Sequence, residues 1–202
     1  MANVDRPQGL IPASTITGAP WSGQTNMYLV DSGDGTAIFI GDLVKLAGGA
    51  GAAGTVVNGI DVEGMPTVIQ SVAGDLHVGV VVGFLADQDN LMRLHRAAST
   101  NRIALVLDDP NALFEIQEVS GGTALTAAEV GLNVNVVVGS GSTTTGISAS
   151  ELNNSGEATT ADLDLKIIRM SPRPDNNIGE HCKWIVQINT HSYGNSAGNT
   201  GL

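Results

Sequence analysis

Apolar and polar positions alternate most cleanly near the C-terminus. From Lys183 to His191, Trp184, Val186 and Ile188 share one parity, and Lys183, Gln187, Asn189 and His191 share the other. Period two with β-branched and aromatic residues predicts a half-buried strand. Trp184 is one of only two tryptophans and the largest apolar side chain in the stretch, so it is expected near the centre of the core. A strand with such an anchor so late in the chain implies long-range pairing, as in a barrel or sandwich.

The same alternation recurs upstream. Met27–Val30, the turn Asp31-Ser32-Gly33-Asp34-Gly35 and Thr36–Ile40 read as strand, turn, strand. Gly41-Asp42 turns into a strand at Leu43–Leu46, and the small residues 47–54 read as a flexible loop. Further strands are expected at Thr55–Val57, Thr67–Gln70, Arg102–Leu107, Leu113–Val119, Leu132–Val138 and Leu163–Met170. His77–Phe84 is a near-continuous apolar run, which predicts burial on both faces. Leu91–Arg96 reads as a strand from its context. Thr126, with Glu129 three residues on and Gly131 to close the turn, predicts one short helix. Residues 139–145 and 150–162 read as polar surface.

The pattern therefore predicts an all-β chain: a single compact β-barrel or β-sandwich domain, about a dozen short strands, and at most one or two short helices. Residues 1–25 show neither period. Pro7, Pro12 and Pro20 bar them from a central strand, so they read as an extended N-terminal arm that either packs on its own domain, the favoured reading, or reaches a partner subunit; the β-domain follows over 26–192 and a flexible tail over 193–202.

Composition narrows the functional classes. The chain has 202 residues, 42% hydrophobic and 14% charged, enough apolar content for a real core. The net charge of −11 disfavours direct contact with nucleic acid or an anionic membrane. A single cysteine, Cys182, excludes an internal disulfide. No secretion signal and no apolar run approaching the roughly 20 residues of a membrane helix is visible, so an intracellular product, or one carried out of the cell inside something else, is expected.

Candidate chemistry is sparse. Gly49-Ala50-Gly51-Ala52-Ala53-Gly54 spells a dinucleotide-binding fingerprint, but a strand rather than a helix is expected to follow it. Asp31–Gly35 resembles the opening of a calcium loop with the wrong spacing and no closing glutamate. His77, His95, His181 and His191 lack zinc spacing, His181 and Cys182 are adjacent and so point to opposite faces of a strand, and Asp108-Asp109-Pro110 reads as a turn. No cofactor, metal, small-molecule substrate or catalytic set is expected. Two features lean towards assembly: the tryptophan-bearing N-terminal segment, and small polar loops suited to lying on another surface.

Several blocks carry a resemblance. Met1–Pro7, Gly18-Ala19-Pro20-Trp21, Val80–Phe84, Asp108-Asp109-Pro110 with Phe114–Glu118, Arg173–Gly179, and Lys183-Trp184 with Ile188–His191 resemble a family of tailed-bacteriophage capsid decoration, or cement, proteins over almost the whole chain. The resemblance implies a non-enzymatic virion protein on the outer surface of an expanded head. It would act as a homotrimer that clamps neighbouring major capsid protein subunits. The expected partner contacts are Arg6, Pro7, Leu10, Ile11, Pro20 and Trp21, with Trp21 as apolar anchor. Deleting residues 2–21 is then expected to abolish head binding and leave the β-domain folded. A head-fibre or receptor- or glycan-binding virion module is the alternative, and a small β-barrel hydrolase a third reading.

Overall fold

Two parities of one strand set serve two different cores. The computed structural model describes residues 3–194 and 196–201. The remaining positions, which include the first two residues of the expected arm and two of the expected tail, lie outside the described residues. The chain is all-β, with 14 strands and one 3₁₀ turn among the described residues.

Five strands close a barrel: β2 (Asn26–Val30), β3 (Leu43–Ala50), β6 (Pro66–Gln70), β7 (Gly79–Phe84) and β8 (Arg102–Leu107), in the order β2-β6-β3-β7-β8. Tyr28, Val30, Val44, Val68, Val81, Ala104 and Val106 pack together from all five strands, as alternating positions facing one interior should. The opposite parity faces outward. Leu29 and Ile103 pack under the small ribbon of β4 (Val56–Val57) and β5 (Ile60–Asp61).

Leu43, Val80 and Leu107 also point out of the barrel, against a second sheet. That sheet has the order β1 (Ile11–Thr15), β9 (Ala112–Gln117), β14 (Lys183–Ile188), β13 (Leu165–Met170), β10 (Asn133–Val134). Its inner face supplies Phe114, Ile116, Leu165, Ile167, Trp184, Val186 and Ile188, all buried. Trp184 sits on the middle strand, where the late alternation placed it. The run at His77–Phe84 is buried on both faces at its start because Val80 joins this core and Val81 the barrel interior. A last ribbon pairs β11 (Val136–Val137) with β12 (Glu151–Leu152).

Several expectations need correction. Residues 36–40 form no hairpin with β2. Their β-bridges among the described residues are single ones, Ile38 with Arg96 and Ile40 with Ile147, and the Asp42 carboxylate takes the Phe39 N–H (2.9 Å) that a ladder would use. Leu91–Arg96 is not a strand. The buried Arg96 guanidinium donates to the carbonyls of Asp31, Asp34, Thr36 and Thr100, and this claim on its side chain holds the segment as turns. β3 runs on to Ala50 through the glycines read as a loop. Leu132–Val138 splits at Asn135 between two partners. Residues 150–162 are not all surface: Ser150, Leu152 and Asn154 are buried.

The one helical expectation holds. Ala127–Glu129 is a 3₁₀ turn with Thr126 and Glu129 forming a reciprocal capping box. Nor does the tail hang free among the described residues. Asn199 N–H donates to Asn189 Oδ1 (2.8 Å), Asn133 Nδ2 donates to Asn199 O (2.6 Å), and Gly201 N–H donates to Thr159 O (2.9 Å).

Candidate functional site

The N-terminal segment is sewn onto the body rather than projected from it. Asn3 Nδ2 donates to the carbonyls of Asn177 (2.7 Å) and Glu180 (2.9 Å), and its Oδ1 accepts the Asn177 N–H (2.9 Å). Arg6 N–H donates to Gln117 Oε1 (2.9 Å) and Leu10 N–H to Gly41 O (2.9 Å). At that crossing the backbones of residues 8–9 and 41 nearly touch: a Cβ on Gly9 would lie 2.4 Å from Gly41 O. Only glycine permits such an approach, and at both positions φ is positive. The next residues form β1, an edge strand, where Pro12 needs no ladder donor.

The six expected contact residues therefore divide. Leu10 is 1% exposed and belongs to the core beneath the second sheet, so its main role is packing. Arg6 and Pro20 are exposed, Pro7 and Trp21 half-buried, and Ile11 is 37% exposed on the outer sheet face opposite Glu115. Trp21 rests its ring against the core and donates Nε1–H to Gln24 O (3.3 Å).

These residues border three neighbouring hollows. The first, about 190 Å³, is apolar, walled by Leu10, Ile11, Trp21, Val82 and Ile147. A small one beside it shares Gln8 and Ile11 and adds Arg6, Glu115 and Lys183. The third, about 240 Å³, shares Arg6 and Lys183 and adds Asn3, Arg173, Asp175 and His181.

Next to the third hollow, Asp5, Glu151 and His181 bring one ligand atom each within 4.8 Å of one another. Such a set has metal-ligand chemistry, yet the Gln117 amide already occupies its middle. Gln117 Nε2 lies 2.9 Å from Asp5 Oδ1, 3.0 Å from Glu151 Oε1 and 3.4 Å from His181 Nδ1. Burial, and then the Asp5 charge, hold the Glu151 carboxyl above its ordinary range. Residues 5, 151 and 181 follow no sequence spacing, so only the fold brings them together.

A second unforeseen set lies in the interior. Ser71 Oγ is 2.7 Å from His77 Nδ1, and His77 Nε2 is 3.2 Å from Asp164 Oδ1, off the line of a hydrogen bond. The residue types are those of a hydrolase triad, but all three side chains are fully buried. Asp164 is also committed to structure, accepting the N–H groups of Gly74 (2.8 Å) and Val136 (2.9 Å). The arrangement ties the 71–77 turn to the strand layer beside it and opens onto no solvent.

Among the described residues no helix is long and apolar enough to cross a membrane. Comparison of the chain with protein-family models, curated proteins and solved structures returned no match, so what it does must be argued from its own residues.

Proposed function

We propose that this chain is a structural virion protein that binds the outer surface of an expanded phage capsid and, as a homotrimer, cements neighbouring major capsid protein subunits. The family resemblance along the sequence motivates the reading. The observation that carries it is the preformed face made by residues 3–21, which presents Ile11 on the sheet edge with the half-buried Trp21 and the exposed Arg6 beside it. A face that is already ordered loses little conformational entropy on docking, and many modest contacts repeated over a shell stabilise it collectively.

The fold changes how the reading is tested. Deleting residues 2–21 removes an edge strand and the core residue Leu10, so loss of binding would report unfolding as much as lost contact. The direct experiment is cryo-electron microscopy of expanded heads that lack the protein, incubated with purified chain. Ordered density over three-fold and quasi-three-fold positions is expected. Bare heads at saturating protein would overturn the reading and turn attention to a fibre or receptor-binding role.

A further inference from the structure

Six of the nine lysines and arginines of this acidic chain are engaged internally. Of its nine lysines and arginines, Lys45 pairs with Asp75, Arg93 with Asp87, Arg96 with Asp34, and Arg173 with both Glu115 and Asp175. Arg102 donates to the carbonyls of Leu85, Arg93 and His95, and Lys166 to Thr200 O. Three are left, Arg6, Arg169 and Lys183, whose charged groups make no hydrogen bond or close ion pair among the described residues, although Lys183, after Arg173, helps hold the nearby Asp175 carboxyl below its ordinary range. Two of the three, Arg6 and Lys183, wall the same two hollows, next to the apolar hollow of Ile11 and Trp21.

We propose that these adjoining hollows receive one extended acidic segment of the shell subunit, with a carboxylate between Arg6 and Lys183 and a large aliphatic or aromatic side chain beside Ile11 and Trp21. The proposal rests on the decoration reading and names the chemistry of its contact. With a net charge of −11, the chain as a whole repels acidic partners. A pair of cations held in no close ion pair is where such a partner gains attraction, and the pairing fixes register more than it adds raw affinity. Arg173 is excluded from the contact because Glu115 (3.0 Å) and Asp175 (3.2 Å) already hold it. The apolar hollow supplies the buried anchor that ion pairs at a wet rim lack.

The test uses the full chain and expanded heads lacking it. Arg6→Glu combined with Lys183→Glu should weaken head binding about tenfold or more at low salt, with an unchanged thermal melt, while wild-type binding weakens as salt rises. Independently, carbodiimide coupling of wild-type protein on heads should join Lys183 Nζ to a shell-subunit Asp or Glu, read by mass spectrometry. Wild-type binding that the double variant matches would overturn the groove and leave decoration standing. Coupling of Lys183 only to another copy of this chain would overturn the assignment to the shell subunit. Wild-type protein that leaves heads bare would retire decoration and the groove together.

Discussion

Trp184 Nε1 donates to Glu118 Oε2 at 2.8 Å, with both side chains sealed inside the core. The other Glu118 oxygen accepts the Leu125 N–H at 3.1 Å, so one carboxyl serves two buried donors. Burial holds that carboxyl above its ordinary range. Glu118→Ala would orphan both donors and should cost about 2–4 kcal/mol in urea unfolding. Trp184→Phe removes one donor and leaves a void. The double variant should then lose less than the two singles added together, by about 1 kcal/mol. Additive losses in the cycle would show that the bond contributes nothing beyond packing.

Asp42 collects four donors in one buried spot: the Phe39 N–H and Gln70 Nε2 on Oδ2, and the Ser148 and Ser150 hydroxyls on Oδ1. Asp42→Ala should cost about 3 kcal/mol or more, since several donors lose their acceptor at once. Asp42→Asn should cost less, because its oxygen can keep Phe39 and Gln70 while its amide donates to the two hydroxyls. Burial raises the Asp42 pKa. The folded state therefore binds the proton more readily than the unfolded chain, and this contribution is present at low pH and lost as pH rises through the folded value. Wild type should gain on Asp42→Asn as pH falls from neutral towards 4, measured by chemical denaturation at each pH.

The crossing at Gly9 and Gly41 should govern how firmly the N-terminal face is held. Gly9→Ala places a methyl group against Gly41 O and Ser148 Cβ in a backbone conformation disfavoured for alanine. A loss of about 1–3 kcal/mol is expected, concentrated in residues 3–21. Amide hydrogen exchange should quicken at Leu10 and through the β1 pairing with β9 while the barrel strands stay protected. Uniform quickening over the whole molecule would show that the segment does not open by itself.

Cys182 is buried next to Glu118 and Asn176. Burial first, and then the Glu118 charge, push its thiol up to about 12. A thiol so far above neutral offers almost no thiolate, and nothing exposes it. The native protein should therefore leave Ellman's reagent unreacted at pH 8 for as long as it stays folded, and release one equivalent in denaturant. Fast labelling of native protein would contradict this packing.

What the sequence could show was whatever is written in short-range pattern. The β-character, Trp184 at the heart of a sheet and the Thr126–Glu129 capping box all depend on neighbours within a few residues. The failures share one cause. Thr36–Ile40 has strand composition, but the acceptor of its Phe39 N–H is a carboxylate. Leu91 and Met92 are apolar yet exposed, while Arg96 at the end of the same segment is the residue drawn inward. The N-terminal prolines read as an arm packed on its own domain, but the pattern does not show that one edge strand and two close-approach glycines do the docking. The Asp5, Glu151 and His181 cluster and the hollow shared by Arg6 and Lys183 bring the start of the chain to residues over a hundred positions on, where no spacing rule reaches.

His191 couples the C-terminal turn to pH. Its ring is 1% exposed, Nδ1 accepts the Tyr193 N–H at 3.1 Å, and Nε2 has no partner within the described residues. Burial lowers its pKa, and the attraction of Asp108 and Asp109 only partly opposes this. Because the unfolded chain keeps the ordinary value near 6.5, it binds the proton first as pH falls. The His191 contribution is thus complete above about pH 6.5 and is lost progressively below it, down to the depressed folded value. His95, stacked on Phe39 with ring centres 5.0 Å apart, is shifted by burial in the same direction and adds to the slope. His191→Asn keeps an acceptor for Tyr193 but cannot titrate. Its unfolding free energy between pH 7.5 and 5 should therefore fall less steeply than that of wild type, and His95→Asn should remove a further, separate share of the slope. Parallel slopes for wild type and His191→Asn would mean that His191 is protonated equally well in the folded and unfolded chain.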